Sequence, residues 1–109
     1  MKLLVVGSGG REHAVVDALS RNDRVRQIYA APGNGGMASQ AKLVPISAED
    51  NWELLDFAQR QKADLTFVGP EVPLSLGIVD LFREHGLKII GPNAEDARLE
   101  LDVAAQVEA

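Results

Sequence analysis

The N-terminal stretch of the chain reads Leu3-Leu4-Val5-Val6-Gly7-Ser8-Gly9-Gly10-Arg11-Glu12-His13. Its first four residues form a short apolar run, which is typical of a buried β-strand, and glycines follow at once. The next segment places four apolar residues on one helical stripe: Ala14, Val15, Ala18 and Leu19. A strand, a glycine-rich turn and a helix are therefore predicted at the start of the chain.

The alternation of strand and helix continues along the sequence. Further strands are predicted at residues 25–30, 43–46, 65–68 and 87–90. A second helix is predicted to begin near Ser47 and to carry Trp52, Leu55 and Ala58 in the core or at its rim. A third helix carries Leu74, Ile78, Leu81 and Phe82 and stops at Gly86, and a last one carries Ala97, Leu101, Ala104 and Ala105. Apolar strands that alternate with helices predict an α/β fold, a parallel sheet with helices on both faces.

Composition limits the classes of function. The 109 residues suit one domain, and the net charge of −5 without runs of Lys or Arg argues against a nucleic-acid or anionic-membrane surface. No stretch approaches the roughly 20 apolar residues of a membrane span. The absence of cysteine excludes disulfides and thiolate metal sites and fits a reducing compartment. We expect a cytoplasmic domain that holds any anionic ligand by local contacts.

The glycine loop is the first candidate for such contacts. Small residues at Gly9 and Gly10 let the backbone approach a ligand, and the N–H groups at the helix start can face an anion. Arg11 adds a positive charge. The dinucleotide-binding fingerprint requires a glycine where Glu12 stands and an acidic residue near Ala30 or Ala31, so a nicotinamide or flavin site is disfavoured.

Two other strand ends carry candidates, and each has a structural alternative. Glu71 can accept hydrogen bonds from a sugar diol, or it can be a solvated turn residue. Asn34 can donate its amide to a phosphate or hydroxyl, or it can adopt the left-handed conformation that turns require. His13 is expected to pack or to face solvent, and His85 to favour a helix C-terminus, so no metal site is predicted. No catalytic residue is predicted either, because Ser8 has no histidine placed beside it.

Four segments together resemble the opening domain of the phosphoribosylamine-glycine ligase family. They are residues 1–13, Pro32-Gly33-Asn34-Gly35-Gly36, Gly69-Pro70-Glu71-Val72-Pro73-Leu74 and Gly91-Pro92. The resemblance covers about the first 100 residues. The glycine loop followed by Arg-Glu-His, combined with Gly-Pro-Glu-x-Pro-Leu, is more specific than either motif alone.

The resemblance implies a Rossmann-like domain that precedes an ATP-grasp domain and binds phosphoribosylamine or glycinamide ribonucleotide. It implies that the full enzyme is a carbon-nitrogen ligase of purine biosynthesis that uses ATP and Mg through an acyl phosphate of glycine. By this analogy Gly9, Gly10 and Arg11 meet the sugar phosphate and Glu71 meets the ribose hydroxyls. The ATP, metal and glycine sites belong to other domains, so this chain alone is expected to bind no cofactor and to be inactive.

The last residues depart from the family. Residues 1–93 are predicted to form the substrate-binding domain, and residues 94–109 a C-terminal helix that is truncated or altered. Because an isolated domain exposes apolar surface, we expect a homodimer, with the last helix as a candidate interface. Two other functions stay open: a non-catalytic or engineered scaffold fragment, and a dinucleotide-binding module.

Overall fold

The computed structural model of this chain describes residues 1–69 and 77–91. Its strands are β1 (Lys2–Gly7), β2 (Gln27–Pro32), β3 (Lys42–Leu43), β4 (Leu65–Val68) and β5 (Ile89–Ile90). Its helices are α1 (Gly10–Ser20), α2 (Asn51–Gln61) and α3 (Ile78–Glu84), and a 3-10 turn covers Gly35–Met37. Several predictions fall outside these ranges: the C-terminal helix, the end of domain 1–93, Leu74 and Glu71.

All five strands pair in parallel in the order β3-β2-β1-β4-β5. β1 lies at the centre, with Leu3 opposite Ile28 on one side and opposite Leu65 on the other. The four residues from Leu3 to Val6 are at most 1% exposed. A central strand of a parallel sheet is covered on both faces, which explains why this segment is a continuous apolar run.

Successive residues of β1 point to opposite faces of the sheet, and each face has its own core. Leu3 and Val5 pack in one cluster with α1, which contributes Val15, Val16 and Leu19. The other cluster contains Leu4 and Val6 of β1, four residues of α2 and two of α3: Leu54, Leu55, Phe57, Ala58, Ile78 and Phe82. The predicted α/β architecture, a Rossmann-like parallel sheet with helices on both faces, is confirmed.

The strands at the two edges are shorter than predicted because their backbone N–H groups bond elsewhere. β3 stops before Pro45, which has no N–H to donate, and Ile46 N donates to Val44 O over 2.8 Å in a tight turn. Before β5, Leu87 N donates to Phe82 O over 3.0 Å, the bond that closes α3 beside Gly86. Gly86 has φ +75°, so its predicted capping role is confirmed.

Three predictions about helix faces and helix starts are wrong in detail. Ala14 is exposed, and Val16 takes its place in the buried stripe of α1. Trp52 is 68% exposed, because α2 turns Leu54 and the residues after it toward the core instead. The cap of α2 is Asp50, whose Oδ1 accepts from Glu53 N over 3.1 Å, whereas the predicted start at Ser47 lies before the helix.

Candidate functional site

The carboxyl ends of β1 and β4 lie side by side. Val6 pairs with Val68, and Gly69 N donates to Val6 O over 3.3 Å. The chain moves from β1 to β2 on one side of β1 and later returns to β4 on the other side. Ligands of open parallel sheets bind at the carboxyl edge where the strand order switches in this way. The first and fourth strands are neighbours, and their carboxyl ends define the candidate site.

The start of α1 faces this edge and carries no side-chain cap. β1 ends at Gly7 with φ +131°, a conformation that glycine adopts without steric cost. Gly9 is the N-cap residue and has no side chain with which to accept from the first turn of α1. Ser8, Gly9 and Gly10 are exposed. The unsatisfied N–H groups and the positive end of the helix dipole therefore form an open position for an anion.

Arg11 is the second residue of α1. Its side chain is exposed, and no carboxylate in residues 1–69 or 77–91 forms an ion pair with it. Its guanidinium is available to an anion held at the helix start, where bidentate bonds to a phosphate are geometrically favourable. The structure thus brings Gly9, Gly10 and Arg11 together at one helix terminus.

Asn34 connects the loop after β2 to the loop after β1. Its backbone is extended, with φ −144° and ψ 168°, so the left-handed interpretation is wrong, and the positive φ of this turn belongs to Gly33 at +71°. Asn34 Nδ2 donates to Ser8 O over 2.8 Å, and its Oδ1 accepts from Gly36 N over 2.9 Å. Asn34 therefore positions the glycine loop; its direct contact with a substrate stays a prediction.

His13 lies close to the turn after β2. A side chain on Gly36 would place its first carbon 2.7 Å from His13 Cε1, so the ring of His13 packs against the Gly35–Met37 turn. Gly7 O accepts from Gly33 N over 3.0 Å and adds a backbone contact between the loops. His13 is therefore a packing residue, the first of its two alternatives in the sequence analysis.

Glu12 belongs to this site, although sequence reasoning treated its position only as a missing glycine. It is the third residue of α1 and is 6% exposed. Its carboxyl group fills the space beside Gly7 and Gly69, the ends of the two central strands. A side chain on Gly69 would meet Glu12 Oε2 at 2.9 Å. The sequence held a signal for this residue, because an acidic side chain in a fingerprint of small residues requires an explanation.

A concavity lies beside α2 and α3. An open groove of about 720 Å³ is bordered by the starts of α2 and α3 and by Trp52. It is lined by the acidic residues Glu49, Asp50, Asp80 and Glu84. Four carboxylates repel a phosphate, so this groove is a poor candidate for the anion site.

Within residues 1–69 and 77–91, no group of three His, Cys, Asp or Glu side chains is arranged to hold a metal ion. No helix in those ranges has the length and hydrophobicity needed to cross a bilayer. At the end of α3, His85 Nδ1 lies 2.9 Å from Leu81 O, so this ring interacts with its own helix.

Comparisons with known proteins match the same segments. Residues 1–100 match the family described as phosphoribosylglycinamide synthetase, N domain. The phosphoribosylamine-glycine ligase of Caldanaerobacter subterraneus subsp. tengcongensis is 55% identical over 100 residues, which cover 92% of this chain and 24% of that protein. The same enzyme of Halalkalibacterium halodurans is 49% identical, with coverage of 92% and 23%. The chain therefore spans about a quarter of the length of the curated relatives it matches.

Among solved structures, apo saccharopine dehydrogenase from Saccharomyces cerevisiae superposes with a TM-score of 0.65 at 18% identity. The match covers 83% of this chain and 21% of that one. At this identity the likeness concerns the fold alone. β2 here carries Ala30, Ala31 and Pro32 where a dinucleotide site places an acidic residue.

Proposed function

This chain belongs to the phosphoribosylglycinamide synthetase N-domain family, and we propose that it is the phosphoribosyl-substrate-binding domain of a phosphoribosylamine-glycine ligase of purine biosynthesis. The observation that carries the proposal is the uncapped start of α1, which lies at the switch point of the sheet beside an exposed arginine. Phosphoribosylamine and glycinamide ribonucleotide each offer one phosphate and a sugar that bears hydroxyl groups.

The phosphate lies against the first turn of α1 in this proposal. Backbone N–H groups of Gly9 and Gly10 donate to its oxygens, and the exposed Arg11 guanidinium supplies a positive charge next to them. The two hydrogen bonds of Asn34 keep the loop in place before the ligand arrives. A preorganised loop loses less conformational entropy on binding.

The sugar extends from the phosphate toward the carboxyl end of β4. The chain continues from Gly69 to Glu71, and the proposal assigns the ribose hydroxyls to the Glu71 carboxylate. The neighbourhood of Gly69 and the β1 loop supports this assignment, because the hydrogen bond from Gly69 N to Val6 O brings the two strand ends together.

The whole enzyme, in this proposal, joins glycine to phosphoribosylamine with ATP and Mg. The amine nitrogen of the sugar attacks the acyl carbon of glycyl phosphate, an amide bond forms and inorganic phosphate leaves. Residues of this chain bind and orient the sugar phosphate, and none is assigned a catalytic role. ATP, Mg and glycine are assigned to the part of the relatives beyond the matched quarter.

Titration of the ¹⁵N-labelled 109-residue chain with ribose 5-phosphate tests the proposal. We expect amide shift changes clustered from Gly7 to Arg11, and a Kd that Arg11→Ala raises roughly tenfold or more because a charge-assisted hydrogen bond is lost. Arg21→Ala is the matched control, since Arg21 ends the same helix in an ion pair with Asp17. Equal weakening by both variants, or a silent spectrum at millimolar ligand, would overturn the proposal in favour of a scaffold. Shifts with NAD would favour a dinucleotide module.

A further inference from the structure

Glu12 is a largely buried residue that the substrate-binding proposal does not use. It is 6% exposed and lies between α1 and the ends of β1 and β4. Its carboxylate makes no hydrogen bond or ion pair with any residue in the ranges 1–69 and 77–91. No donor or cation in those ranges accounts for a carboxylate at this position, although its oxygens are not sealed from solvent.

The second helix provides an internal reference. α1 and α2 each contain 11 residues, and each has glutamate as its third residue, Glu12 and Glu53. A carboxylate in the first turn interacts favourably with the helix dipole in both cases. Glu53 gains this interaction while exposed to solvent. The dipole therefore does not require the burial of Glu12.

The position of Glu12 is chemically distinctive. In the dinucleotide-binding fingerprint the third glycine stands here, and its lack of a side chain allows close packing of helix and strand while a pyrophosphate occupies the helix start. In this chain the space between α1 and the ends of β1 and β4 is filled by carboxylate oxygens, which lie against Gly7, Gly9 and Gly69. A negative charge thus stands directly behind the anion position.

We propose that Glu12 is a specificity-determining residue that restricts the start of α1 to a single phosphoryl group and excludes diphosphates. One phosphate is held at the outer N–H groups and Arg11. A second phosphoryl group that followed the helix start inward would meet the Glu12 carboxylate at close range, where like charges repel. Naming phosphate monoesters as the accepted class rests on the proposed function, whereas exclusion of diphosphates does not.

The test compares inorganic pyrophosphate with ribose 5-phosphate in the full 109-residue chain, with Kd values from NMR titration. Glu12→Gln keeps the size of the side chain and removes its charge, and Glu12→Gly removes both. We expect pyrophosphate affinity to rise about tenfold in Glu12→Gln by loss of charge repulsion, and further in Glu12→Gly. Ribose 5-phosphate affinity should change by less than about threefold, because its single phosphate stays at the outer N–H groups.

Glu53→Gln is the control, because it makes the same change of charge at the same helical position on an exposed site. It should leave the ratio of the two Kd values unchanged. A ratio that stays constant in the Glu12 variants while the wild type binds ribose 5-phosphate overturns the inference and leaves the proposed function standing. A wild type silent to ribose 5-phosphate, combined with a gain of pyrophosphate binding in Glu12→Gln, overturns the proposed function and supports the inference. Silence in every variant overturns both.

Discussion

The first turns of α1 and α2 differ in how their backbone N–H groups are satisfied, although the two helices have the same length and the same third residue type. α2 begins after Asp50, whose side chain accepts from Glu53 N, whereas α1 begins after Gly9, which has no side chain. The α2 start is therefore closed by the protein itself. The start of α1 has backbone N–H groups that no side chain caps, and this start lies at the switch point of the sheet. A ligand-binding segment is generally less stable than the rest of a fold, and comparing substitutions at the starts of α1 and α2 measures this difference.

The largest expected effect concerns the glycine that lets β1 turn into the open start. Gly7→Ala forces a side chain into φ +131° and against the Glu12 carboxyl group, and we expect the free energy of unfolding to fall by about 2–5 kcal/mol. Urea denaturation measures this loss. Gly10→Ala is the matched control, because a side chain there meets no atom within 4 Å, and stability should stay level or rise slightly.

A double variant separates the two causes of that loss. In Glu12→Ala the side chain that overlaps with a residue at position 7 is gone, so Gly7→Ala should cost less in this background. The remainder of the loss is due to the backbone conformation. If Gly7→Ala has the stability of the wild type, Gly7 does not pack against the Glu12 side chain.

The closed start provides the next prediction. Asp50→Ala removes the acceptor for Glu53 N, and we expect a loss of about 1 kcal/mol in the free energy of unfolding. Ser47→Ala is the control for loss of a nearby side-chain acceptor, since Ser47 Oγ accepts from Glu49 N outside the helix. Thermal unfolding of both variants should rank Asp50→Ala clearly below Ser47→Ala, and the reverse order would restore Ser47 as the cap.

The start and the buried face of α2 could be predicted only in part, because several residues match the same sequence pattern. Ser47 was favoured as the cap because an acidic residue stands three positions later, yet Asp50 has Glu53 at the same spacing, and the fold uses Asp50. Trp52 matched a helical stripe by spacing, yet packing of α2 against the sheet buries Leu54 and Phe57 instead. Sequence periodicity locates a helix well, but the sheet decides its rotation.

The strand, the glycine turn and the helix at the start of the chain are confirmed. The apolar run of β1 and the glycines after it indicated a buried strand and a turn; that the start of α1 binds an anion stays a prediction. Glu12 was missed, because a comparison with the dinucleotide fingerprint shows only that its third glycine is absent. Its side chain packs against Gly69, which lies 57 positions further along the chain. A local sequence pattern does not predict a contact over that separation.

The far end of α2 yields a stabilising prediction. Lys62 closes this helix in the left-handed region at φ 56°, with Ala63 N donating to Ala58 O over 2.9 Å. Lys62→Gly removes the strain of a side chain in that region and should raise the free energy of unfolding by about 0.5–1 kcal/mol. Gln59→Gly, inside the same helix, should lower it by about 1 kcal/mol. Destabilisation by both glycines would contradict the left-handed cap.

The smallest expected effect compares two ion pairs of identical spacing, one on each helix. Asp17 pairs with Arg21 on α1 and Asp56 with Arg60 on α2, both at 2.9 Å. Exposed pairs of this kind contribute only about 0.3–0.5 kcal/mol, so the two helices should respond alike to loss of the pair itself. Asp17 Oδ1 also accepts from Gln40 Nε2 over 2.8 Å, a bond for which Asp56 shows no counterpart in residues 1–69 and 77–91.

Asp17→Ala should therefore cost about 0.5 kcal/mol more than Asp56→Ala in urea denaturation, because a partly buried hydrogen bond is lost with the ion pair. In a Gln40→Ala background the two substitutions should become equal, and an unchanged difference would show that the contact to Gln40 contributes nothing. This contact ties the body of α1 to the segment after the Gly35–Met37 turn. A helix whose first turn has no side-chain cap thus gains positional support from contacts further along it, and its N–H groups can remain unsatisfied at the switch point without loss of its place on the sheet.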